Sequence, residues 1–220
     1  MDQLTIALLP LAAAILLMGL WMVSYERRQR RRTADLAQAM QRQGFQPVPD
    51  AVQTLRRVQP LLHPLDYLSE NEKGGSAFSW NVGGRDAFFL EWSYDSPGGL
   101  HGCSFQVDQR AYVTLGPGAP YLRALPKVIF GKPASPIGID EDGAFSRTFW
   151  VEGTDREAIR RYLGPELREF LVVRGNPWRF HAGPEGVALV CRGRASNAET
   201  SRIRATLERL ATVTEAAARR

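Results

Sequence analysis

The chain has 220 residues and a formal net charge of +5. Its first 32 residues contain five arginines against Asp2 and Glu26 and supply +3 of that charge, so the rest of the chain is close to neutral. This distribution argues against a nucleic-acid-binding face, which needs a basic patch on the folded domain. The two cysteines, Cys103 and Cys191, belong to no C-x-x-C pair, so zinc and redox motifs of that kind are absent.

The first predicted element is a membrane-spanning helix. Residues Leu4 to Val23 are twenty consecutive positions without a charge. A helix of that length covers roughly 30 Å, which is the thickness of the hydrocarbon core of a bilayer. Pro10 and Gly19 are tolerated in such spans. A cleaved secretory signal is the competing interpretation, but it places positive charge before a shorter apolar core.

A basic collar follows this segment and predicts its orientation. Trp21 and Tyr25 are expected in the headgroup layer. The collar consists of Arg27, Arg28, Arg30, Arg31 and Arg32. The positive-inside rule places these arginines and everything after them in the cytoplasm, with the short N-terminus outside. We therefore divide the chain into an anchor with its basic junction (1–32) and a cytoplasmic domain (33–220), and expect the arginines to contact anionic lipid as well.

Residues 33–72 predict a helical stalk, followed by a stretch whose secondary structure is ambiguous. Residues 33–43 have helical character, no helix breaker separates them from the span, and Gly44 suits the position after a helix C-terminus. Residues 50–72 contain a short helical pattern in Val52, Leu55 and Val58. Pro60 and Pro64 are expected to stop any long element there.

The middle of the chain predicts an antiparallel meander. Alternating apolar residues over 76–82 and 87–95 are separated by Gly83–Gly84, a hairpin signal. A third strand is expected over 103–115. Shorter extended pieces are expected over 125–130 and 146–153.

The last third alternates helices with one more hairpin. A capping-box pattern at 154–157 predicts a helix that Gly164–Pro165 interrupts. Residues 178–194 read as a hairpin around the sequence GPEG. A second capping box, Ser196 to Glu199, opens a final helix. We expect an α+β fold in which a mainly antiparallel sheet packs with two or three helices on one face.

No convincing catalytic pattern appears among the reactive residues. Three histidines, His63, His101 and His181, have no histidine or cysteine three or four residues away, and each is expected to be a surface or satisfied residue. The acidic run 140–142 lacks the ligand spacing of a calcium loop. A nucleophilic pair of Cys103 with His101 remains a minor alternative, as does a Cys103–Cys191 disulfide if the topology were reversed. We expect no cofactor and no metal.

The aromatic residues of the meander are mainly expected in the core. Their set is Phe78, Trp80, Phe88, Phe89, Trp92, Phe105 and Tyr112. Because Phe88 and Phe89 are adjacent, they point to opposite faces, and one of them is expected to be exposed or to lie under a helix or partner. Stacking of RNA bases on this sheet is conceivable chemically, but the near-neutral charge of the domain disfavours it.

Several loose motifs resemble bacterial membrane-anchored families of unknown function. These are the single N-terminal span, the arginine-rich junction, the helix ending at Gly44–Phe45, and a β-rich domain. That domain has a strand running into Glu152, Gly153 and Asp155, and a turn with Leu163, Pro165 and Leu167. The resemblance implies a bacterial inner-membrane setting and carries over no catalytic residue.

These observations favour a membrane-tethered, non-catalytic cytoplasmic domain that binds a membrane-associated protein or the lipid surface. A tethered domain meets membrane partners at a raised effective concentration. A membrane-anchored enzyme is the main alternative; it predicts a pocket that holds His101 or His181 with a perturbed carboxylate. A lipid-carrying cavity beneath the sheet is a third possibility, and it predicts a large apolar pocket that faces the membrane.

Overall fold

The fold is described from a computed structural model, which covers residues 3–62, 73–97, 104–116, 118–139, 143–173 and 178–220. For residues 3–12, and for some residues beside the gaps, the description covers the backbone only. The helices are α1 (Gln3–Arg42), α2 (Ala51–Leu62), α3 (Gly143–Thr148), α4 (Arg156–Tyr162), α5 (Pro165–Val173) and α6 (Thr200–Ala218). The strands are β1 (Gln46–Pro47), β2 (Lys73–Val82), β3 (Arg85–Pro97), β4 (Ser104–Leu115), β5 (Leu122–Pro126), β6 (Phe149–Gly153), β7 (Arg179–Gly183) and β8 (Gly186–Arg192).

The strands form one sheet in the order β1-β2-β3-β4-β8-β7-β5-β6, and every pairing is antiparallel. The predicted α+β class with an antiparallel sheet is therefore confirmed. Both predicted hairpins are present. Gly83 and Gly84 have φ angles of 59° and 85°, which is the left-handed backbone that a tight two-residue hairpin turn requires.

Helices cover both faces of the sheet, so the prediction that they lie on one face is wrong. One core cluster joins α1, α6 and the short helices to the sheet through residues such as Leu36, Phe89 and Leu207. The other core cluster places Leu55 and Val58 of α2 against the opposite face. The helices packed on the sheet also exceed the predicted two or three. The physical reason is that β3 is apolar on both faces, because Phe88 and Phe89 are both buried, and each face needs a cover.

The predicted continuation of the first helix beyond residue 32 is confirmed, because α1 is continuous from Gln3 to Arg42 and crosses the predicted domain boundary at 32/33 without a break. Gly44 follows the helix with a φ of 88°. In the described part of the chain, no helix is both long and apolar enough to cross a membrane. The side chains of residues 4–12, which belong to the predicted span, lie outside the described part.

Three boundaries differ from the sequence prediction. Residues 146–148 were expected to begin a strand but belong to α3, and β6 begins only at Phe149. Helix α4 is capped by Asp155, whose carboxylate accepts a hydrogen bond from the Ala158 amide at 3.0 Å, rather than by Thr154. Helix α2 continues through Pro60 to Leu62. The predicted break at Gly164–Pro165 is confirmed, because α5 begins at Pro165.

Candidate functional site

Helix α1 is fixed to the sheet at Arg32 by an ion pair with a buried carboxylate. One amino group of Arg32 donates to both carboxylate oxygens of Glu91, at 3.1 and 3.3 Å, and to the carbonyl oxygen of Ala195 at 2.6 Å. The backbone amide of Ala195 donates to the same carboxylate. Because Glu91 is only 5% exposed, its charge depends on these donors.

A second set of polar contacts lies beside this ion pair. Arg194 donates to the side chain of Gln29 on α1 at 2.6 Å and to the Ser93 hydroxyl at 2.6 Å, and its Nε lies 2.9 Å from Asp108. The Ser93 hydroxyl donates to the same Asp108 carboxylate at 2.7 Å. Gln29 and Arg32 therefore tie the helix to β3, β4 and the segment after β8.

The described part of α1 before Gln29 has a different character, because every side chain from residue 13 to residue 28 is exposed. The large apolar side chains there are 50–68% exposed: Ile15, Leu16, Leu17, Met18, Leu20, Trp21, Met22 and Val23. Trp21 and Tyr25 stack on each other with ring centroids 5.7 Å apart.

The predicted membrane-interface residues thus fall into two groups. Trp21, Tyr25, Arg27, Arg28, Arg30 and Arg31 are exposed on α1. Arg32 is half-buried and bound to Glu91, a contact that the sequence pattern did not indicate. The interface role of all seven stays a prediction.

A row of charged and polar residues crosses the other end of the sheet, on the face that α2 covers. Strand register places Arg123 of β5 between Glu152 of β6 and His181 of β7. His181 in turn pairs with Ala188 of β8, which belongs to the apolar core beneath α2. The sheet face therefore changes from apolar to polar near Leu61, at the C-terminal end of α2. Arg123 and Glu152 form an ion pair.

A cavity of about 390 Å³ opens over this row, and we call it the His181 pocket. Its volume lies in the range of small-molecule sites, which is roughly 300–1,000 Å³. Leu61 and Tyr121 form its apolar wall; Leu122 and Ala182 also line it, although their side chains pack in the core cluster on the opposite face of the sheet. The Arg123–Glu152 ion pair and His181 form its polar floor. Apolar walls with a few convergent polar groups are typical of ligand sites.

His181 is neutral in this environment. It is 2% exposed, and burial together with the charges of Arg179 and Arg123 lowers its pKa to about 3. Among the described residues, neither ring nitrogen has a hydrogen-bond partner, and the same holds for Nη1 of Arg123. Most buried polar atoms in proteins are paired. Three buried nitrogen atoms in one pocket that lack such a partner in the described part of the chain are therefore unusual.

The pocket is better suited to binding than to proton transfer. A general base works best with a pKa near the operating pH, and a protonated His181 would lie beside two guanidinium groups. The carboxylate of the pocket, Glu152, is already paired with Arg123. The hydroxyls of Ser135 and Thr154 line the pocket but are not hydrogen-bonded to His181.

Among the described residues, the other reactive residues named from the sequence form no second site. His63, His101, Cys103 and the acidic run 140–142 lie outside the described residues. Cys191 is buried, and Arg110 Nε donates to its sulfur at 3.0 Å. Burial raises the pKa of the Cys191 thiol. In the described ranges, no group of three or more His, Cys, Asp or Glu side chains could hold a metal ion.

The aromatic residues of the meander are core residues wherever the structure describes their side chains, and Phe105 lies outside that description. Phe78, Phe89 and Tyr112 pack in the cluster beneath α1 and α6, whereas Phe88 and Trp92 lie beneath α2. Trp80 is half-buried between Phe45 and the guanidinium of Arg204, which lies 4.7 Å from its ring centroid.

No family model and no curated protein sequence matches this chain. Among solved structures, the chain is similar to the crystal structure of the mycobacterial trehalose monomycolate transport factor A, TtfA, at 12% sequence identity. The TM-score is 0.55, and the match covers 84% of this chain and 94% of that chain. At this identity, the likeness concerns the fold alone.

Proposed function

We propose that this protein is a membrane-anchored, non-catalytic binding domain whose folded part lies in the cytoplasm. The observation that carries the proposal is the exposed apolar surface on α1 from Ile15 to Val23. An exposed apolar surface of this size marks a contact with lipid or with another protein. The basic collar that follows it supports the orientation by the positive-inside rule.

The attachment of α1 to the sheet supports a rigid tether. Gln29 and Arg32 hold the helix within the collar itself, so a membrane-inserted α1 would fix the height and angle of the sheet above the lipid surface. A domain held in this way presents one defined surface to a partner in the same membrane. The fold similarity to a mycobacterial transport factor fits a role as an accessory of membrane transport, and we propose a membrane protein as the partner.

Fractionation of the full-length chain tests the anchor. We expect the protein to stay with membranes after alkaline carbonate washing and a C-terminal reporter to be active only in the cytoplasm. Leu16→Glu with Leu20→Glu places two charges on the exposed apolar surface and should release the protein, because each charge in a span costs about 2.5–3.5 kcal/mol. Gln38→Glu on the same helix is the matched control. Release of the unaltered chain, or a reporter active only outside the cytoplasm, would overturn the proposal.

Crosslinking in native membranes tests the partner. A specific membrane protein, captured by the full-length chain and lost in the Leu16→Glu, Leu20→Glu variant, is the expected result. The alternative, a membrane-anchored enzyme, needs a proton-transfer group in the His181 pocket. The low pKa of His181 disfavours that alternative. Turnover of a metabolite by the purified protein without any specific partner would favour the enzyme.

A further inference from the structure

The unpaired nitrogen atoms of the His181 pocket indicate the chemistry of a ligand. Strand register places Arg123 and His181 side by side on the floor of the pocket. The ion pair with Glu152 engages Nη2 of Arg123, and Nη1 of the same guanidinium has no partner among the described residues. A neutral imidazole adds one N–H donor beside it. Two neighbouring donors are therefore available to one acceptor group.

A carboxylate fits these two donors best. Its two oxygens lie in one plane and accept hydrogen bonds from neighbouring donors, and guanidinium groups recognise such planar anions preferentially. Negative charge is also favoured here because the charges of Arg123 and Arg179 both act on the position of His181. A bound anion would satisfy buried donors that otherwise cost free energy.

The remainder of the pocket is suited to an alkyl chain. Its apolar side chains are Leu61 and the ring of Tyr121, which is 55% exposed and leaves the mouth open. Burying a chain against such a wall removes apolar surface from water.

From this geometry, we propose that the His181 pocket binds a small monocarboxylate with an unbranched apolar chain. The carboxylate accepts hydrogen bonds from Nη1 of Arg123 and from the imidazole N–H of His181, and the chain lies along Leu61 and Tyr121. The proposal goes beyond the membrane-anchor function, because it concerns the opposite end of the sheet from the strands that α1 contacts.

Calorimetric titration of the full-length chain in nanodiscs, with empty nanodiscs as the blank, tests the ligand class. The probes are acetate, butyrate and hexanoate. We expect saturable binding of hexanoate and an affinity that rises about fourfold per added methylene, as burial of each methylene predicts. Hexanamide, which has the same chain without the charge, should bind at least tenfold more weakly. Absence of saturable hexanoate binding, or equal binding of hexanamide or inorganic phosphate, would overturn the proposal.

Two variants test the assigned residues. His181→Phe keeps a buried ring but removes both nitrogens, and Arg123→Gln removes the guanidinium. Each should weaken hexanoate binding at least tenfold. Lys132→Gln removes a cation that lies outside the lining of the pocket and should leave binding unchanged. Thermal unfolding checks that each variant is folded, and Arg123→Gln combined with Glu152→Gln replaces the single variant if the unpaired carboxylate prevents folding. Unchanged binding in folded His181→Phe would refute the assignment.

These titrations are distinguishable from the test of the anchor. Binding of hexanoate depends on the pocket, and a chain that washing releases from membranes is titrated in buffer instead of in nanodiscs. Loss of membrane association in the fractionation experiment therefore leaves the pocket proposal standing, and absence of hexanoate binding leaves the anchor standing.

Discussion

His181 makes the free energy of unfolding of this protein depend on pH. Its pKa is lowered to about 3 by burial and by Arg179 and Arg123, whereas an unfolded chain has a histidine pKa near 6.5. Between these values the unfolded state binds the proton more readily. The histidine contribution to the free energy of unfolding is therefore fully present above about pH 6.5 and falls as the pH is lowered towards 3, by at most about 1.4 kcal/mol per pH unit.

Denaturant unfolding between pH 7 and pH 4 measures this contribution. His181→Gln removes the titrating group, so its free energy of unfolding should fall less steeply with decreasing pH than that of the unaltered chain. Carboxylates titrate in both proteins, and comparison of the two slopes cancels their effect. Parallel slopes would show that folding does not lower the pKa of His181.

Arg32 and Arg31 are neighbours in the basic collar, but their expected contributions to stability differ. Arg32→Ala leaves the buried carboxylate of Glu91 without its guanidinium, and breaking a buried pair costs about 3 kcal/mol. Arg31 is exposed, so Arg31→Ala should change the free energy of unfolding by less than about 0.5 kcal/mol. Chemical denaturation of both variants measures the difference. Equal effects would contradict the role of the ion pair.

The contacts of single residues could be predicted only where residues nearby in the sequence indicate them. The capping box at Ser196 and Glu199 is present in the structure, with the Ser196 amide donating to Glu199 at 2.8 Å. The sequence around Glu91 predicts only an alternating strand, and no neighbouring residue indicates that Arg32, 59 residues away, is its partner. Arg123 and Glu152 were not recognised as site residues for the same reason, because only the strand order brings them beside His181.

At the scale of elements, Gly153 links β6 to the helix that follows. A Cβ atom at this position would overlap the Tyr121 carbonyl oxygen and the Ile159 side chain, and would lie 3.1 Å from the Cα of Leu122. Gly153→Ala should therefore destabilise the fold by about 2 kcal/mol or more, since overpacking forces neighbours to shift. Gly131 has open space around it, so Gly131→Ala is the matched control. Thermal unfolding of the two variants measures the difference, and equal melting temperatures would contradict this packing.

Elements joined by short turns were predictable, whereas those stabilised by distant strands were not. The hairpins at Gly83–Gly84 and at residues 184–185 have turn residues between alternating apolar runs, which is a local signal. Strand β5 pairs with β7 and β6, both distant in sequence, and its bounds were misplaced. The position of α2 on the opposite face depends on its contacts with β2, β7 and β8, which a pattern within α2 does not encode.

At the scale of the whole molecule, two features of α1 predict that two truncated chains differ in melting temperature. Removal of residues 1–24 takes away the exposed apolar surface but leaves Gln29 and Arg32 in contact with the sheet. Removal of residues 1–33 also takes away both of these contacts. The fold class and the continuity of α1 were predictable, because both follow from long periodic stretches. The attachment of α1 was not, because it depends on Glu91 and Arg194 in separate parts of the chain.

We expect the chain that begins at residue 25 to be released from membranes while keeping the melting temperature of its folded part. The chain that begins at residue 34 should also be released but should melt about 6–12 °C lower, because a loss of about 3 kcal/mol shifts a domain of this size by roughly 2–4 °C per kcal/mol. Fractionation and thermal unfolding, followed by circular dichroism, separate the two effects. Equal melting temperatures would mean that α1 is attached to the sheet mainly through Leu36 and Met40, which both truncated chains retain. The ion pair would then position the helix without stabilising the domain.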